Sequence, residues 1–296
     1  MALDELHRLI LRHAREDATT AIDGVLLSVV TASAPPATYP TGTCLALITQ
    51  GAKRIALGDR SFDYRAGQYL VASVDLPVTG QFVEASRAVP AVGFGLALRP
   101  SAIAALLLEH ADALPPSGGG APPGLAVSDA SPELIDAAVR MVRLLERPRD
   151  RPVLAPMIER EILWLLMTGE QGAAVRQLGL GDSSLAHVGR VARWIREHHA
   201  ERLRVEDLAR MARLSTSAFH RSFRAVTTMT PIQFQKQIRL DQARLMLATR
   251  DADIARTGLA VGYDSPSQFS RDYRRRFGSP PSEDAARLRA AHTAGR

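Results

Sequence analysis

Val205-Glu-Asp-Leu-Ala-Arg-Met-Ala-Arg-Leu-Ser-Thr-Ser-Ala-Phe-His-Arg-Ser-Phe-Arg224 and Asp253-Ile-Ala-Arg-Thr-Gly-Leu-Ala-Val-Gly-Tyr-Asp-Ser-Pro-Ser-Gln-Phe-Ser-Arg-Asp-Tyr-Arg274 decide how this chain is read. Each stretch reads as a short helix with a small residue inside (Ala209, Gly258), a serine-bearing turn and a second helix. Phe219, Arg221, Phe223 and Pro231 are matched 50 positions later by Phe269, Arg271, Tyr273 and Pro281. Repetition of one supersecondary unit is a fold-level signal. Ser215 and Ser265 suit the N-cap of the helix that follows, because a side-chain oxygen there accepts from an otherwise unpaired backbone N–H. Phe219 and Phe223 lie four residues apart on one helical face and point into a core, which leaves His220, Arg221 and Arg224 on other faces. This is the geometry of a recognition helix whose N-terminal half enters the major groove.

Outward from the two units, the pattern stays helical. Ser184 to His199 is amphipathic, with Val188, Val191, Ala192 and Ile195 as its stripe. Thr230-Pro231 opens a long helix that runs to about Ala248, with proline at a tolerated first position. Ser282 to about Ala291 closes the region as a last helix. A stiff connecting helix would fix the separation of two recognition helices, which then read major-groove segments one turn (roughly 34 Å) apart on one DNA face.

Composition agrees with a division of labour. A chain of 296 residues exceeds one average domain. Residues 181–296 hold 21 Lys and Arg against 12 Asp and Glu, a balance of +9, while residues 1–180 carry 16 against 19, a balance of −3. A basic third beside a mildly acidic body points to a polyanion partner for that third, although a solvated basic surface gives the same count. The lone cysteine, Cys44, sits in an apolar run, excludes an internal disulfide and fits a reducing compartment. No apolar run reaches about 18 residues, so no membrane span is expected. The charged start, Met1 to His13, reads as a short amphipathic helix rather than a signal peptide, and the expected location is the cytoplasm.

From about Gly24 to Leu98 the pattern changes to short strands, the clearest being 25–30, 43–49, 53–57, 68–72 and 92–98, punctuated by Gly51, Gly58-Asp59, Gly67 and Gly80. Regular short strands without intervening helices predict a sandwich or barrel. Helices are expected at 100–114, 131–146 and 156–167, with a loop at 115–124 and a polar, glycine-rich stretch at 168–183. The predicted fold is therefore α+β: a cupin-like β-barrel or sandwich with flanking helices over residues 1–180, then an all-α domain over 184–291. Within the latter, the first helix-turn-helix spans about 205–226, the linker helix 231–248 and the second unit about 253–277.

Enzyme chemistry finds no support in the residues. The histidines stand at 7, 13, 110, 187, 198, 199, 220 and 292, none of them within 24–98, so the barrel has no imidazole to hold a metal, and no metal or cofactor is expected. Glu159 with Glu161, or Asp63 with Glu84, could be drawn as acid–base pairs, but no spacing favours them. A barrel that binds a small effector, or serves as a dimerisation platform, is the simpler reading. Barrel mouths are common pocket sites, and Phe62, Tyr64, Tyr69, Phe82 and Phe94 are the aromatics available either to line a pocket or to fill the core. The alternative is a non-metal cupin-like sensor or enzyme for which DNA binding is secondary. The helices at 131–146 and 156–167 could pack within the subunit or pair between two copies.

Leu208-Ala209, Ser217-Ala-Phe-His-Arg-Ser-Phe223, Pro231, Arg239-Leu-Asp-Gln-Ala-Arg-Leu-Met-Leu247, Val261-Gly-Tyr263, Ser267-Gln-Phe-Ser-Arg271 and Arg276-Phe-Gly-Ser-Pro280 together resemble the AraC/XylS family of bacterial transcription regulators. The resemblance covers about residues 185–288. It implies a seven-helix DNA-binding domain acting on promoter DNA as activator or repressor, with RNA polymerase and a second copy of the chain as further candidate partners. Gly51, Asp75-Leu-Pro77 and Pro90 resemble the effector domain often joined to it. Carried over by position, Ser217, His220 and Arg221 in the first unit, and Ser267, Gln268, Ser270 and Arg271 in the second, are candidates for base contact. Arginine to guanine and glutamine to adenine are the favoured bidentate pairings. Ser215, Thr216, Arg224, Lys236, Arg239 and Arg274 are candidates for phosphate contact, although arginines here could instead form ion pairs within the domain. Two positions depart from the family pattern: Gly258 stands where alanine is usual, at roughly 1 kcal/mol in a helix interior, and Pro281-Ser-Glu-Asp-Ala replaces an aromatic–arginine pair.

Overall fold

The computed structural model describes residues 2–115, 121–249 and 253–294; the central part of the loop expected at 115–124 lies outside them. The chain divides into two compact units, residues 1–189 with 221–228, and residues 190–220 with 229–296. The fold is α+β, as the strand and helix patterns predict.

In the first unit the strands are β1 Val25–Val30, β2 Ala37–Pro40, β3 Cys44–Gln50, β4 Ala52–Leu57, β5 Arg60–Arg65, β6 Gln68–Ala72, β7 Pro77–Glu84, β8 Ala91–Ala97 and β9 Leu125–Asp129. They form two antiparallel sheets, β1-β8-β3-β6-β9 and β2-β7-β4-β5, which meet where β5 approaches β6 and β9. The helices of this unit are α1 Ala2–His13, α2 Pro100–His110, α3 Pro132–Arg143, α4 Arg151–Thr168 and α5 Gly172–Gly179.

Side chains alternate across a strand, and the cross-strand register makes the alternation visible. Val25, Leu96, Leu45 and Val71 form one row, and Leu27, Phe94, Leu47 and Tyr69 the next. Both rows belong to the apolar core shared with Leu6 and Ile10 of α1, Leu134, Ala138 and Met141 of α3, and Ile162 and Leu166 of α4. The row between them, Leu26, Gly95, Ala46 and Leu70, faces the other way, toward the second sheet.

Four strands escape the sequence pattern. β2 ends on Pro40 and β7 starts on Pro77 and contains Gly80, residues that argue against strands when read singly. β5 is Arg-Ser-Phe-Asp-Tyr-Arg, polar at alternate positions because its outer face is wet. β9 follows a proline- and glycine-rich loop. α4 begins five residues before its expected start at 156: Pro152 occupies the tolerated first turn and Pro156 lies inside the helix. The stretch expected to be irregular at 168–183 holds α5.

The second unit starts within α6 Ser184–Glu197 and contains α7 Val205–Met211, α9 Pro231–Leu247, α10 Ile254–Ala260, α11 Pro266–Phe277 and α12 Pro281–Ala294; α8 Thr216–Thr227 spans the division. Thr230 opens α9 with a complete capping box, its hydroxyl accepting from the Gln233 amide while the Gln233 side chain accepts from the Thr230 amide. Leu240, Ala243 and Leu247 of α9 join Val261, Tyr263, Phe269 and Tyr273 in one core.

Candidate nucleic-acid interface

The two helix-turn-helix units repeat in atomic detail as well as in sequence. Before the turn, the Leu214 amide bonds the Ala209 carbonyl, as the Tyr263 amide bonds that of Gly258, an offset of 49 residues. After it, Ser215 and Ser265 accept from the amides of Ala218 and Gln268, an offset of 50. The second turn is thus one residue longer, which a fixed spacing of 50 conceals. Arg213 (φ 55°) and Gly262 (φ 91°) hold the corresponding left-handed position. At Gly262 a Cβ would sit 2.3 Å from the Ala200 carbonyl oxygen, so only glycine fits. Gly258 likewise has its reason: an added Cβ would stand 3.0 Å from the Phe269 ring, and its absence lets α10 lie close on α11.

The faces of the second helices separate as expected. Phe219 and Phe223 of α8 and Phe269 and Tyr273 of α11 are fully buried. On α8, Ser215, Thr216, Ser217, His220, Arg221 and Arg224 are exposed. Ser217 shares its hydroxyl with the capping Ser215 at 3.4 Å. On α11, Ser267, Gln268, Arg271 and Arg274 are exposed and Ser270 is half-buried. Arg271 donates to the Ser267 carbonyl at 3.4 Å and to Gln268 Oε1 at 3.1 Å, and Gln268 donates on to Asp272 at 3.0 Å. The structure therefore gathers Ser267, Gln268 and Arg271 into one polar surface whose bonds are local, those of Arg271 solvent-exposed and that of Gln268 reaching the buried Asp272.

Two expected phosphate contacts are committed elsewhere. The Arg239 guanidinium donates from Nε to the His199 carbonyl (2.6 Å), from Nη1 to that of Gly262 (2.7 Å), and from Nη2 to those of Ala200 (3.2 Å) and Glu201 (2.9 Å). It ties the end of α6 and the second turn to α9. Burial lowers its pKa below the ordinary guanidinium value. Lys236 pairs at 2.6 Å with Asp272, whose side chain is 2 % exposed. Burial by itself would raise the Asp272 pKa, but hydrogen bonds from Lys236 and Gln268 outweigh it and hold the carboxyl below its usual range. Sequence reasoning misses these roles because a basic residue on a long helix looks the same whether its partner is phosphate or a buried carboxylate.

The altered start of the last helix has a structural account as well. Asp284, fully buried, accepts from Tyr273 at 2.8 Å and Arg244 at 2.9 Å and also binds Arg287. Burial acts to raise its pKa, and the bonds from Tyr273, Arg287 and Arg244 lower it on balance. An acidic anchor thus joins α12 to α11 and α9.

In the first unit, the five candidate pocket aromatics divide. Tyr69 and Phe94 face the helices and are core, 4 % and 2 % exposed, so they are corrected out of the pocket. Phe62, Tyr64 and Phe82 share the opposite, inner side: Tyr64 and Phe82 pair in register with Lys53, and Phe62 with Ile55. Burial raises the Tyr64 pKa and pushes the Cys44 thiol up to about 11. Three of the four carboxylates drawn as acid–base pairs are held in ion pairs, Glu159 by Arg99, Glu161 by Arg140 and Asp63 by Arg54. Among the described residues no group of three metal-ligating side chains converges, and no helix is long and apolar enough to cross a membrane.

A β-sandwich unit followed by a duplicated helix-turn-helix defines a class of transcription regulator. The family model for the AraC-type transcriptional regulator N-terminus matches residues 21–174, and a helix-turn-helix domain model matches residues 208–287. This chain belongs to the AraC-type transcriptional regulators. It is 40 % identical over 93 residues to the HTH-type transcriptional regulator CdhR of Pseudomonas aeruginosa, covering 31 % of this chain and 28 % of CdhR. It is 28 % identical over 162 residues to the HTH-type transcriptional regulator ExsA of the same organism, covering 54 % of this chain and 57 % of ExsA. The chain thus spans less than two thirds of the length of these relatives, which are named as regulators rather than enzymes. In fold it is similar to ToxT from Vibrio cholerae strain SCE256, solved with an unsaturated fatty acid bound, at a TM-score of 0.50 and 11 % identity, over 89 % of this chain and 95 % of that one.

Proposed function

We propose that this chain is a sequence-specific regulator of transcription that docks α8 and α11 in successive major-groove segments of promoter DNA, under the control of a small molecule bound in its first unit. One observation carries the reading: two capped helices, repeated after 50 residues, each bury an aromatic pair and leave arginine, serine and a hydrogen-bonding side chain exposed toward the N-terminal half. Arg221 and Arg271 are the proposed guanine readers, with Gln268 suited to adenine and Ser217, His220, Ser267 and Ser270 completing the base-facing set. Ser215, Thr216, Arg224 and Arg274 are the proposed phosphate contacts; Lys236 and Arg239 leave that set because a buried carboxylate occupies the first and four backbone carbonyls the second. The domain roles follow, with residues 1–180 sensing and pairing and residues 184–291 binding DNA in the cytoplasm.

A homodimer through α4 is part of the proposal. Val153 and Met157, four residues apart and 65 % and 61 % exposed, form an apolar strip on that helix, beside a groove whose apolar lining, Leu144, Leu154 and Ile158, is flanked by Arg140, Arg143, Arg147 and Glu161. An unpaired apolar helical strip fits a second copy of itself. RNA polymerase is the proposed partner of the DNA-bound form.

Gel shifts on the DNA upstream of its own gene, with and without nonspecific competitor, test the reading. Arg271→Ala should cost about 1–3 kcal/mol at one base position and relax preference there. A uniform loss over all sequences would mean that Arg271 touches phosphate and reads nothing.

A further inference from the structure

We propose that the inner face of the second sheet holds a site for a small organic carboxylate with a flat apolar body, whose charged end is taken by Lys53 and Tyr39. The proposal rests on reading the first unit as an effector domain, and it names the effector's chemical class.

In β4, Lys53, Ile55 and Leu57 share one parity, and Ile55 and Leu57 are 3 % and 0 % exposed. Lys53 therefore turns inward with them, while its neighbour Arg54 turns outward to pair with Asp63 at 2.7 Å. The inward ammonium stands 5.2 Å from the Tyr39 ring centre and 4.9 Å from that of Phe82. Ring faces attract a cation but do not neutralise it. Among the described residues no carboxylate lies within ion-pair distance of Lys53. A half-buried cation held only by aromatic faces is a site prepared for an anion.

Tyr39 supplies the second donor. Its hydroxyl oxygen is buried and makes no hydrogen bond. A Cβ on Gly80 would lie 2.3 Å from that oxygen, so glycine at this point of β7 is what lets the phenol stand there. A buried donor without an acceptor is costly unless something visits it. One ammonium and one hydroxyl match the two oxygens of a carboxylate, whereas a dianionic phosphate would keep excess charge in a space lined by rings.

The facing row of the first sheet is Leu26, Gly95, Ala46 and Leu70. Its centre, Gly95 and Ala46, is small; Leu70 is buried, while Leu26 is 47 % exposed although it lies on an inner face. A tightly closed sandwich would bury Leu26 as it buries Leu70. Aromatic faces on one wall and small side chains on the other favour a flat apolar body over a polyhydroxylated one.

The test is calorimetric titration of the full chain at neutral pH with phenylacetate, cinnamate and 2-naphthoate, each compared with its own amide. At least one acid should bind tenfold or more tightly than its amide. Lys53→Met should erase that preference by weakening the acid alone, Lys53→Arg should restore part of it, and Tyr39→Phe should cost the acid severalfold. If no acid exceeds its amide, or if the preference survives Lys53→Met, the proposal is overturned. Should Lys53→Met fail to fold, the acid-to-amide ratio on the unaltered protein decides alone. A gel shift with the bound acid separates the two readings. An acid that binds but leaves DNA occupancy unchanged keeps the site and sinks effector control. Normal DNA binding with no acid preference sinks the site only.

Discussion

Arg239→Ala distinguishes an internal clamp from a DNA contact. The guanidinium makes four hydrogen bonds to backbone carbonyls of His199, Ala200, Glu201 and Gly262. Charge-assisted bonds are worth about 1.5–3 kcal/mol each when well shielded. Arg239 is half-buried, and water can reach part of the vacated space, so the total falls to about 3–5 kcal/mol. In a unit of this size that corresponds to a drop in melting temperature on the order of 15–25 °C. Trp194, stacked on His198 at 4.3 Å just before the clamped carbonyls, is a fluorescence reporter for unfolding of the second unit. Arg239→Lys, with one compact ammonium, should recover less than half of the loss. The reasoning is refuted if the alanine variant melts within about 0.5 kcal/mol of the parent while its DNA affinity and the salt dependence of binding fall by about one phosphate contact.

Gly262→Ala should destabilise the second unit by more than about 2 kcal/mol in urea unfolding, since a left-handed φ of 91° and a 2.3 Å clash with Ala200 act together. Asp284→Ala should cost about 3–5 kcal/mol by leaving Arg244 and Arg287 without their buried partner, and Asp284→Asn should restore part of it. Asp241, with both oxygens buried and unbonded and Arg276 at 3.7 Å, has its pKa raised to about 6 by burial, against the opposing pull of Arg276 and Arg244. A raised carboxyl pKa favours the folded state when protonated, so this group's contribution is full below its ordinary value near 3.8 and is lost as pH rises through about 6. Asp241→Asn should therefore raise the melting temperature at pH 7 and flatten its pH profile between about pH 4 and 7. Phe94→Ala should cost about 3–5 kcal/mol in the first unit as a core deletion, whereas Phe82→Ala should cost less stability and weaken the carboxylate.

α8 and α11 were legible in the sequence because their logic is local: four-residue aromatic spacing, a serine cap and a proline at the next helix start survive without tertiary context. Five of the strands were legible for the same reason, each being a run of apolar residues between turn residues. β5 and β7 were not: β5 sets Ser61, Asp63 and Arg65 around its aromatics, and β7 starts on Pro77 and contains Gly80, so neither shows an apolar run. Lys53 carries a signal in the sequence as well. It keeps parity with Ile55 and Leu57, and a lysine on the apolar parity of a strand is where an inward charge shows itself. Asp272, Asp284 and Arg239 were beyond reach, because their partners lie on other helices and only the fold brings them together.

Hydroxyl-radical and methylation footprints of the full chain on its upstream DNA test the central claim directly. The account predicts two protected major-groove patches on one DNA face, centred about 10–10.5 base pairs apart, with Arg221→Ala opening one and Arg271→Ala the other. A single patch, patches on opposite faces, or protection that both variants leave intact would contradict it.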